Sequence, residues 1–164
     1  MRLACALVAV ASLVAPAAAD PQYTQVSLPL LLGGGSDGFT FGWRPEVIVA
    51  SNQPRGGAGI GGYVELAHDA RGASAAIGMT GVRYMDRRFA LAPSLGMSTR
   101  GIEGGMFVGL RRPNEYHLEA PLGLRVDGHF HSDGSADVIV AAQIDLVPLA
   151  VLGVALAQVM HRHD

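Results

Sequence analysis

Asp127, His129 and His131 occupy alternate positions of one segment, so in an extended chain their side chains leave the same face. Two imidazoles at that spacing can grip one metal ion, with Asp127 the candidate carboxylate on the same face, although spacing alone does not fix a third ligand. The same three residues also suit a polar wall turned toward water or a narrow lumen. Other chemistry finds little support. No G-x-S-x-G elbow or H-E-x-x-H pair occurs, and Gly33-Gly34-Gly35 and Gly56-Gly57 lack the lysine and following helix of a phosphate-binding loop. The run His161-Arg162-His163-Asp164 reads as a polar tail. No cofactor is expected.

The element that must position these residues is a hairpin. From His117 to His131, Leu118, Ala120, Leu122, Leu124, Val126 and Phe130 point one way, and His117, Glu119, Arg125, Asp127, His129 and His131 point the other. Ser132-Asp133-Gly134-Ser135 has the chemistry of a tight turn, since Asp-Gly tolerates positive φ. Ala136, Val138, Val140, Ala142, Ile144 and Leu146 then form the apolar face of a returning strand.

Period-two alternation recurs upstream. Val26, Leu28, Leu30 and Leu32 oppose Gln25 and Ser27. Phe39, Phe41, Trp43, Val47 and Val49 oppose Thr40, Gly42, Arg44, Glu46 and Ile48, with Pro45 predicting an edge or a bulge. Phe89, Leu91, Leu95 and Met97 oppose small residues. Further strands are expected at 59–68, 75–85 and 104–112, which makes about eight in all. The connections are too short for crossover helices, so the strands should form an antiparallel meander. Closure into an up-and-down barrel removes its exposed edges. The fold class is therefore all-β. Residues 149–160 are apolar on both faces and suit a short C-terminal helix begun by Pro148 or an extra strand.

Composition agrees. The 164 residues suffice for one domain; 22 glycines are about twice the usual share, while only 16% of residues are charged. All twelve basic residues are arginine, scattered along a chain of net charge −2, so nucleic acid is not an expected partner. At the start, Arg2, the apolar run Leu3 to Val14, and Ala17 and Ala19 before Asp20 have the form of a secretory signal peptide over 1–19. A single barrel domain over 20–164 follows, in an exported chain. The only cysteine, Cys5, lies inside the apolar run, so the mature chain would have no disulfide.

With this export signal and roughly ten-residue alternating strands, the chain resembles the small outer-membrane β-barrel proteins of Gram-negative bacteria over residues 23–147. The resemblance implies large apolar side chains against lipid and small or polar ones in the lumen. Arg44, Glu46, Glu65, Arg83, Glu119, Arg125 and Asp145 would then pair within it. Tyr23, Phe39, Tyr84, Phe89, Tyr116 and Phe130, near strand ends, would mark the membrane boundaries. The chain ends on Met160-His161-Arg162-His163-Asp164 rather than on the terminal Phe or Trp usual in that family. Similarity to the lipid A deacylases among these barrels would assign His131, Ser132 and Asp133 or Asp137 to catalysis. Their pattern separates His and Ser by one residue, whereas here the two are adjacent. A structural or interaction role without catalysis is therefore expected, with membrane lipid as the partner. The alternative is a soluble periplasmic or secreted barrel that turns its large residues inward around a small apolar ligand.

Overall fold

The computed structural model describes residues 22–36, 38–51, 57–85, 89–110 and 122–147. The expected signal peptide, the side chain of Tyr23, residues 111–121 with Tyr116, His117 and Glu119, and the apolar segment 149–160 lie outside the described residues.

Among the described residues ten strands form one antiparallel sheet: β1 (Gln22–Ser27), β2 (Pro29–Gly35), β3 (Gly38–Trp43), β4 (Glu46–Ser51), β5 (Ala58–Asp69), β6 (Gly72–Tyr84), β7 (Phe89–Ser98), β8 (Gly101–Leu110), β9 (Leu122–His131) and β10 (Ala136–Asp145). β1 and β2 act as one stave, as do β3 and β4. Pairing runs from Gln22↔Ser51 to Ser27↔Glu46 and resumes in the same register at Leu30↔Trp43. The strand is interrupted at Pro45, as the sequence suggests, but the expected edge or bulge is absent. Pro45 lacks an N–H, yet its carbonyl accepts from Val64 N–H at 3.0 Å, and Arg44 N–H donates to the Pro29 carbonyl at 2.9 Å. The ladder therefore passes the proline without slipping, and the inward or outward sense of every side chain is kept.

Eight staves close on themselves through the pairing of β10 with β2. Crossing the sheet through paired residues leads from Gln25 to Ile48, Gly61, Thr80, Ser94, Gly105, Asp127 and Ile139 and arrives at Gly35. That is ten residues further along the stave it left. Such a stagger on eight strands tilts them by about 40° and leaves an interior just wide enough for side chains to fill.

The connections opposite the chain's first strand are tight. Gly134 adopts φ 85° in the 132–135 turn, its N–H donates to the His131 carbonyl at 3.1 Å, and His131 N–H donates to the Ser135 carbonyl at 2.9 Å. Over residues 122–145 the hairpin expected from the sequence is therefore present, with its tip at the expected residues; its expected start at 117–121 lies outside the described residues. Arg100 ties two neighbouring tips together by donating to Asp69 Oδ2 and to the Gly72 carbonyl, each at 2.6 Å.

Candidate functional site

The site begins with the direction of the alternation. Leu124 is 60% exposed and Leu122 and Val126 are also on the outside, while Arg125 and Asp127 between them are 1% and 7% exposed. The same holds around the ring: Phe39, Phe41, Val47, Val64, Ile77, Met97, Val108 and Val140 are exposed, and Thr40, Arg44, Glu65, Thr80, Ser94, Glu103 and Gln143 are buried. The barrel is polar within and apolar without. Phe39, Phe89 and Phe130, near strand ends, lie on the outer surface as expected. Tyr84 does not: it points inward, fully buried, in a cluster with Ile48, Ala50, Val82, Ala90, Ala92 and Phe107 that packs one end of the lumen.

Two arginines organise the middle. The register between Trp43↔Leu66 and Glu46↔Tyr63 sets Arg44 opposite Glu65, and Arg44 Nη1 donates to Glu65 Oε2 at 2.7 Å. Its guanidinium carbon lies 3.3 Å from the centre of the Tyr63 ring, a cation–π contact. The Tyr63 hydroxyl donates to Glu103 Oε1 at 2.7 Å, and that carboxylate stands 3.9 Å from Arg44 Nη1. Room for the phenol comes from Gly78 and Gly96, where an added Cβ would lie 2.5 Å and 2.2 Å from the Tyr63 hydroxyl oxygen. Elsewhere in the lumen, Arg125 Nε donates to Asp127 Oδ2 at 2.7 Å and its Nη2 donates to Ser94 Oγ. Gly105 makes space for that carboxylate, since a Cβ there would meet Asp127 Oδ1 at 1.8 Å.

Of the charged residues expected to pair, Arg44 with Glu65 does so as an ion pair, and Asp145 accepts from the backbone N–H groups of Leu28 and Val147 at 2.9 Å and 3.0 Å. Arg83 departs from the set, because it lies on the outward side of β6 between the inward Val82 and Tyr84.

The metal set departs as well. His129 and His131 do share the inner face, but Asp127 is engaged by Arg125. The carboxylate between the histidines is Asp137, directly across the hairpin from His129. His129 Nδ1 and His131 Nε2 lie 3.8 Å and 3.5 Å from the same Asp137 Oδ1. The grouping that similarity to the deacylases would imply is not assembled around Ser132 either. That residue sits exposed in the turn with its N–H on the Arg100 carbonyl, and His131 Nε2 has no hydrogen-bond partner. At the tip, the hydroxyl and N–H of Ser135 both donate to Asp133 and hold its carboxyl below the usual range.

Tyr63 and its glycine hollow escaped sequence reasoning. Tyr63 follows Gly61-Gly62 and precedes Val64, which gives no hint that its hydroxyl reaches a glutamate three staves away. Among the described residues, a void touching Glu65, Asp127 and His129 measures about 20 Å³, enough for one water. No protein-family model, curated protein or solved structure matches this chain.

Proposed function

We propose that this chain is an exported β-barrel embedded in the outer membrane, with membrane lipid as its surrounding partner and a structural or interaction role rather than a catalytic one. The observation that carries the reading is the inversion of the barrel, with paired charges inside and large apolar side chains outside. A soluble barrel does the reverse, because water solvates charge and expels hydrocarbon. A continuous apolar surface of this kind would drive association in water, whereas hydrocarbon accepts it. Two further features suit a bilayer. β5 to β10 have ten to thirteen residues each, long enough to cross a hydrocarbon core when tilted. The pairing of β10 with β2 also closes the ladder between those strands, so their facing N–H and C=O groups are not left to desolvate.

The alternative of a soluble ligand binder needs Leu122, Leu124 and Val126 to line the interior, and they lie outside. The filled, charge-paired lumen argues for a plug rather than a pore. Fractionation of cells producing the full chain tests the reading. The protein should stay with outer-membrane fragments through urea and carbonate washes, and recovery in the soluble periplasmic fraction would overturn it.

A further inference from the structure

We infer that the apolar segment 149–160 packs as a short helix beside the open edge of β1 and covers the mouth of the barrel at the end opposite the 132–135 turn. β10 stops at Asp145, opposite Pro29, whereas β1 runs on to Gln22 with β4 on one side and, among the described residues, no strand on the other. The wall therefore has a notch beside the six residues of β1. β10 does not extend across it. Asp145 Oδ1 takes the Leu28 N–H at 2.9 Å, and continuing the register would set Pro148 opposite Val26 with no N–H to give. The same oxygen accepts from Val147 N–H at 3.0 Å, two residues on, as the cap of a helix does. The chain thus leaves the sheet beside the notch in a capped helical turn.

The residues at this mouth call for an apolar cover. Ala50, Ala58, Tyr84 and Ala90 stand at or next to the ends of their strands, yet none is more than 1% exposed. Side chains so close to an open rim are buried only if something stands over them. Ala50, Tyr84 and Ala90 belong to the cluster that makes this end of the lumen apolar, where the middle is charged. Of the connections that meet here, 52–56 reads Asn-Gln-Pro-Arg-Gly, 86–88 reads Asp-Arg-Arg, and 111–121 carries Arg111, Arg112, Glu115 and Glu119. None offers a run of hydrocarbon. Segment 149–160 has a single polar residue, Gln158, and a helix apolar on all sides is one that is buried. The lengths agree as well. Residues 147–160 reach about 21 Å as a helix, and β1 in its extended form reaches about 20 Å. Covering the edge with a helix also guards β1 against pairing with another chain. The inference rests on strand register and burial and stands apart from the bilayer reading.

The test uses the full chain carrying Cys5→Ser, folded in detergent micelles, with heat-modifiable gel migration as the check on folding. With Ala50→Cys the chain should react with a water-soluble maleimide at least about tenfold more slowly than with Ser132→Cys at the exposed tip. Ending the chain at Val147 should bring the two rates together. A second measurement needs no truncation: Ala50→Cys is combined with one cysteine at each position from 149 to 160 in turn. Oxidation should then join residue 50 to positions three or four apart, the period of one helix face. The inference is overturned if residue 50 reacts as fast as residue 132 in the full chain, if its protection survives the truncation in folded protein, or if no position crosslinks. Crosslinks at every second position would make the segment a strand and overturn the helix.

Discussion

Replacing Arg44 by methionine should lower the unfolding free energy by about 3–5 kcal/mol, because it strips the counter-charge from buried carboxylates and leaves them unpaired. Glu65 would lose its 2.7 Å partner and Glu103 the cation 3.9 Å from it. The Tyr63 ring would lose the guanidinium stacked on it as well. Adding Glu65→Gln to Arg44→Met should recover part of the loss, since a neutral amide is cheaper to bury than an unpaired carboxylate. Urea unfolding in lipid vesicles, followed by the fluorescence of the single tryptophan, Trp43, reads both variants. A loss below about 1 kcal/mol would mean that Arg44 is solvated in the folded barrel, as exposed ion pairs are.

Leu124→Arg is the matching experiment on the other face. Leu124 stands on the outer wall with Leu122 and Val126, and its neighbours across the ladder are Val108 and Ala142. In a bilayer an arginine near the midplane of this wall should cost about 2–4 kcal/mol of folding free energy. Were the wall bathed in water, the same change would fall within the roughly ±0.5 kcal/mol usual for exposed positions. Equilibrium refolding into vesicles, with Leu124→Ala as the size control, distinguishes the two.

Much of this architecture was legible in the sequence because period two is a local property. Arg125 and Leu124 face opposite ways in any extended strand, and Asp133-Gly134 marks a turn wherever the strands end. Alternation alone could not say which side was inside. A soluble and a membrane barrel write the same pattern with opposite sense, so that choice had to come from closure. The stagger was equally hidden. Nothing near Gln25 indicates that a circuit of the barrel returns at Gly35, yet that offset brings Tyr63 to Glu103 and Ser94 to Arg125. Pro45 does interrupt the strand, between Trp43 and Glu46, but makes neither an edge nor a bulge, because the neighbouring Arg44 N–H and Pro45 carbonyl hold the register. The histidine pair was half readable. His129 and His131 share a face by spacing, but the carboxylate that stands between them, Asp137, comes from the facing strand, and Asp127, nearer in sequence, is engaged by Arg125.

The central claim is that hydrocarbon lies against the outer wall. It is tested most directly by placing a fluorophore at position 124 or 125 through a single cysteine in a chain lacking Cys5, refolding each into vesicles whose acyl chains carry a quencher. The account predicts strong quenching at 124 and little at 125. Equal quenching at both positions, or none at 124 in correctly folded protein, would contradict it.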